Sequence, residues 1–138
     1  MKQTIVIARP PIYDRCDAQF HIAGKPILFS WGDKIYNPMD VDIPHELIAH
    51  EAAHGAQQGT EEKGIRRWWD QYLADPQFRL YEELLGHRAE WREYMRRHPN
   101  GKDSARVLEA IAGRLSSELY GNVISLDDAR SRVMLRAG

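Results

Sequence analysis

Two histidines four residues apart, with a glutamate directly after the first, are the residues of this chain best suited to chemistry: His50-Glu51-Ala52-Ala53-His54. On an α-helix, positions i and i+4 lie one above the other, so both imidazoles can address one cation at about 2.0–2.1 Å. Glu51 is turned by roughly 100° from His50 and stands beside that cation rather than on it. Neutral imidazoles leave a bound zinc electrophilic, and the pKa of its water falls to about 7. A carboxylate so placed takes the water's proton during attack on a carbonyl and passes it to the departing amine. The spacing therefore predicts His50 and His54 as zinc ligands and Glu51 as general base. The competing reading is a helix whose two histidines are merely satisfied by hydrogen bonds.

Zinc needs a third protein ligand. The next helical segment, Arg79 to Tyr94 (RLYEELLGHRAEWREY), offers Glu82, Glu83, His87 and Glu90. Glu83 and His87 are four apart and share a face, and Gly86 between them lets two helices approach closely. The plainer alternative is a salt-laced, solvated helix face. Tyr81, His87 and Tyr94 are candidates to stabilise a tetrahedral oxyanion, and spacing does not choose among them. His45 points about 140° away from His50 and is read as a capping or surface residue.

These residues resemble the glutamate-ligand branch of the zincin metallopeptidases. There the His-Glu-x-x-His helix is followed by a second helix with a ligand glutamate, commonly in a Glu-x-x-Ala-Asp-like motif. The matching segment here is Glu83-Leu84-Leu85-Gly86-His87. Leu28 to Gln58 is similar to small peptidases of phages and bacteria: a strand and a Gly-Asp-x-Ile-Tyr turn lead into Leu-Ile-Ala-His-Glu, with Gln-Gln after the second histidine. The resemblance spans roughly Pro26 to Glu90 and does not extend to the tail after Pro99. It implies a zincin-like fold, a zinc cofactor, His50, His54 and Glu83 as ligands, Glu51 as base, and a peptide or protein substrate. His87 stands where the family has aspartate, and either orients a ligand or is itself one. The strand ahead of the active helix would pair with an extended substrate through Ile27–Trp31 or Lys34–Tyr36. A non-catalytic alternative uses His50, His54, Glu83 and His87 together, as a closed structural site in a binding or virion-associated protein.

The elements that must hold such a site follow from the rest of the chain. Residues 3–8 (QTIVIA) read as a strand stopped by Pro10-Pro11; Lys25–Trp31 and Lys34–Tyr36 read as a hairpin around Gly32-Asp33. Helices are predicted from Pro44 to Gly59, Glu61 to Ala74, Gln77 to His98 and Ser104 to Tyr120, with a short last helix from Ser125. The expectation is one α+β domain over residues 1–138, mainly helical: a strand-rich part (1–43), metal-site helices (44–98) and C-terminal helices (99–138). Trp68, Trp69 and Trp91 fall at helical spacing and are read as core rather than as a binding platform. Nineteen basic against twenty acidic residues argue against a nucleic-acid grip built on bulk charge. The basic run Arg96-Arg97-His98 with Lys102 is read as a solvated helix end. A single cysteine, Cys16, excludes an internal disulfide and fits a reducing compartment. The apolar run Ile5–Ala8 is too short for a signal peptide or membrane span, so a cytoplasmic location is expected.

Overall fold

The computed structural model describes residues 2–117 and 124–134. Six helices and three short strands lie among them: β1 (Thr4–Val6), α1 (Tyr13–Phe20), β2 (Phe29–Trp31), β3 (Lys34–Tyr36), α2 (His45–Gln58), α3 (Glu62–Ala74), α4 (Pro76–Arg97), α5 (Ser104–Leu115) and α6 (Leu126–Met134). This is an α+β arrangement, mainly helical, with a small N-terminal sheet. α5 ends at Leu115 with Ser116 as its C-cap, short of the predicted Tyr120, and residues 118–120 lie outside the described residues. No helix among the described residues is long and apolar enough to cross a membrane.

β2 and β3 form the expected hairpin, with Trp31 opposite Lys34 and Phe29 opposite Tyr36. Gly32 takes the positive φ of 61° that a two-residue turn favours. β1 then pairs parallel with β3, Thr4 opposite Lys34 and Val6 opposite Tyr36. β3 is therefore the central strand, hydrogen-bonded on both sides. The expectation that Lys34–Tyr36 serves as an open edge for a substrate strand is overturned.

Helix α1 was not expected. β1 ends at Val6, short of the prolines, and Pro10 and Pro11 instead lead into this helix, with the Tyr13 amide donating to the Pro10 carbonyl at 3.0 Å. Its inward stripe is Tyr13, Cys16 and Phe20, packed with Phe29, Trp68, Trp69 and Tyr72 in a first apolar cluster. A second cluster joins Leu80 and Leu84 of α4 to Ile111 and Leu115 of α5 and Val133 of α6. Trp68 and Trp69 are buried, so the core reading holds for both. Helix α4 starts where Pro76 follows Asp75, whose carboxylate accepts from the amides of Gln77 and Phe78 at 2.9 and 3.3 Å.

Helix α2 lies between the two clusters, against α4 on one side and β2 on the other. Gln58 staples it to the hairpin: the Gly32 amide donates to its Oε1 at 2.8 Å, and its Nε2 donates to the Ser30 carbonyl at 3.1 Å. Trp69 Nε1 donates to the same carbonyl at 3.1 Å. The outward hydrogen-bonding group of β2 is thus already occupied by side chains. The approach is closest at Gly55, where an added Cβ would stand 2.2 Å from the Gly32 carbonyl oxygen.

Candidate metal centre

The two helical turns of α2 bring both imidazoles to one face. His50 Nε2 and His54 Nε2 lie 3.1 Å apart, and Glu83 Oε1 of α4 stands 3.0 Å from the first and 2.5 Å from the second. All three residues are buried. Three lone-pair-bearing atoms this close repel one another unless a proton or a cation lies between them. Burial alone pulls the His50 imidazole down, but carboxylates on both its ring nitrogens, Glu83 and Glu90, hold it up at about 10. His54 is likewise pulled down by burial and raised on balance by Glu83. Burial pushes the Glu83 carboxyl up, yet the two imidazoles bring it well below the ordinary carboxylate range. The trio is an electrostatic cradle for positive charge, and two imidazoles with one carboxylate make a donor set zinc accepts.

The far nitrogens of both rings are fixed by acceptors. His50 Nδ1 is 3.0 Å from Glu90 Oε1, and His54 Nδ1 is 2.8 Å from Gln57 Oε1. With Nδ1–H donating to these oxygens, each Nε2 is the atom that faces Glu83, and a cation displacing the proton shared there would meet the tautomer a ligand needs. Gln57 is held in turn by donating to the Glu82 carbonyl at 3.2 Å. Glu90 accepts from His87 Nδ1 at 3.2 Å through the same oxygen and binds Arg114 Nη2 through the other.

Two helices can bring these rings and carboxylates together because α4 carries no side chain at their crossing. An added Cβ at Gly86 would meet His50 Nε2 at 2.9 Å, His50 Cε1 at 3.0 Å and His54 Cε1 at 3.1 Å. Glu83 reaches the pair from one turn before this glycine. His87 follows it directly and turns to the other side of His50, with ring centroids 4.6 Å apart. His87 therefore groups with His50 and Glu90, not with the His50–His54–Glu83 trio. Burial holds its imidazole below the ordinary range.

Glu51 lies beside the trio. Its carboxylate is hydrogen-bonded by the Ser30 hydroxyl, which also lies 2.8 Å from the Glu51 carbonyl oxygen. Burial raises the Glu51 carboxyl against the lowering effect of His50 and His54. Glu51, His50, His54 and Glu83 all line a cleft of about 510 Å³. Its lining includes the apolar side chains of Phe20, Ile27, Phe29 and Trp69. Cys16 also borders it, but burial pushes its thiol up to about 12, which removes it as a nucleophile.

The remaining candidates go elsewhere. Glu82 is buried and accepts from Trp68 Nε1 at 3.1 Å. Tyr81 is 60% exposed, about half a helical turn from Glu83. Tyr94 is buried, stacks on His98 and donates to the Lys102 carbonyl at 2.8 Å. Neither tyrosine borders the cleft, so neither is placed to meet an oxyanion there. His45 is exposed at the start of α2, in keeping with its surface reading.

Sequence reasoning missed Tyr72, which reads as one more apolar position of the α3 stripe. Its hydroxyl donates to Glu83 Oε2 at 2.8 Å, leaving Oε1 toward the imidazoles. Tyr72→Phe keeps the packing and removes this anchor. The expected result is a zinc affinity weakened by about ten- to a hundred-fold in a competitive chelator titration, at unchanged helix content.

Comparison with models of protein families, with curated proteins and with solved structures returned no match, so the centre is interpreted on its own chemistry.

Proposed function

We propose that this protein is a zinc-dependent metallopeptidase of the glutamate-ligand zincin type, hydrolysing peptide bonds with Glu51 as general base. The observation that carries the proposal is the convergence of His50 Nε2, His54 Nε2 and Glu83 Oε1, with Glu51 alongside and a cleft in front. Bound there, zinc supplies a Lewis acid and lowers the pKa of a water to about 7. The chain's own residues do the rest. Glu51, fixed by Ser30 and raised by burial, receives the water's proton and returns it to the leaving amine. His87 is the one sequence candidate for oxyanion stabilisation that borders the cleft. Pro26, Ile27 and Leu28, just ahead of β2, border it as well and provide the wall along which an extended peptide would lie.

The non-catalytic alternative requires a fourth protein ligand. The placement of His87 with His50 and Glu90 favours three ligands and a position left for water. Protein purified without an immobilised-metal column should carry about one zinc per chain and cleave a peptide library in a chelator-sensitive manner restored by added zinc. Zinc far below stoichiometry, or cleavage indifferent to chelation, would count against the proposal.

A further inference from the structure

The geometry points to Arg114 as the residue that sets the substrate class: the cleft takes peptides whose carboxylate meets this guanidinium while an apolar side chain lies against the cleft's apolar lining. The inference rests on the metallopeptidase reading and adds to it the kind of peptide. Arg114, near the end of α5, is the only lysine or arginine bordering the cleft among the described residues. The same lining includes the apolar side chains of Phe20, Ile22, Phe29 and Trp69. A peptide entering this cleft thus meets one guanidinium and a large share of hydrocarbon.

Arg114 is anchored without being used up. Its Nη2 binds Glu90 Oε2, and that carboxylate is only 4% exposed, whereas the Arg114 side chain is 48% exposed. A guanidinium has five N–H donors in a fixed fork, so one edge on Glu90 leaves others for solvent or ligand. The anchor also lowers the rotamer entropy lost when a ligand binds. Glu90's other oxygen already accepts from His50 and His87, so its charge is shared among three partners. Arg114 is the side chain that fixes where a substrate carboxylate sits, through charge-assisted, two-pronged hydrogen bonding.

The carboxylate can be a free C-terminus or an Asp or Glu side chain, and paired probes separate the two. Binding is read by calorimetry on zinc-loaded Glu51→Gln protein, so that no turnover intervenes. One pair is acetyl-Phe-Leu as free acid and as amide; the other is acetyl-Phe-Glu-amide and acetyl-Phe-Gln-amide. In at least one pair the acid should bind about ten- to a hundred-fold tighter, and the pair with the larger ratio names the source. Arg114→Gln should bring that ratio close to one. Arg114→Lys, which keeps the charge on Glu90 but loses the fork, should lower it too, and serves if the Gln variant does not fold. Arg106→Gln, an exposed cation on the same helix, should leave it unchanged. A ratio near one in the parent protein, a ratio that survives both Arg114 substitutions, or failure of all four probes to bind overturns the inference. Chelator-sensitive cleavage by the wild-type protein decides the parent reading separately.

Discussion

Replacing Glu51 by glutamine is expected to leave one zinc per chain and to lower peptide hydrolysis by about 10²–10⁴-fold. Glutamine has the same shape and can still accept the Ser30 hydrogen bond. What it loses is the ability to take a proton. Zinc is retained because the cradle is made by His50, His54 and Glu83, and Glu51 belongs to neither grouping of ligand atoms. Metal content by mass spectrometry and initial rates on one peptide read the two halves of this expectation. Hydrolysis within tenfold of the parent would remove Glu51 as the base. Loss of zinc would make it a ligand.

The second large effect is expected at a residue with no functional group. Gly86→Ala drives a methyl to 2.9–3.1 Å from the His50 and His54 rings. Such distances are well inside ordinary contact, and the atoms met are on buried rings, not on flexible chain ends. Either the rings turn, which spoils the aim of both Nε2 atoms, or α4 moves away from α2 and takes Glu83 with it. Overpacking of this kind costs about 1–3 kcal/mol of stability. The zinc affinity should fall by about ten- to a hundred-fold, a loss comparable to disturbing the partners that orient ligands. A thermal melt and a chelator competition measure the two quantities. A variant that melts and binds zinc like the parent would show that the helices have room to spare at their crossing.

The part of this centre written locally in the chain was legible, because it depends on helical repeat alone. Two imidazoles one turn apart must share a face, and the hairpin around Gly32-Asp33 follows from turn chemistry. The choice between Glu83 and His87 was not legible in that way. They are one turn apart on the same helix, and the rotation of α4 against α2 sends one to the Nε2 atoms and the other to the far side of His50. Tyr81 and Tyr94 are near in sequence and point elsewhere for the same reason.

The supporting residues were hidden by their dual character. Tyr72 gives its ring to the apolar stripe of α3 and its hydroxyl to Glu83. Ser30 sits inside a buried strand and reaches Glu51 across 21 positions of sequence. Glu90 was visible only as a possible ligand, whereas its position under His50, His87 and Arg114 depends on three helices meeting. Helix α1 was overlooked although Tyr13, Cys16 and Phe20 already mark an inward face. A Pro-Pro pair reads equally as a strand stop and as the lead-in to a helix, and here it precedes α1.

Diffraction from crystals of the zinc-loaded protein at the zinc edge locates the ion directly. A three-ligand zinc centre predicts one anomalous peak bounded by His50 Nε2, His54 Nε2 and a Glu83 oxygen, with a non-protein oxygen in the fourth position. A peak between His50 Nδ1, His87 and Glu90, or a sphere closed by His87, would contradict it.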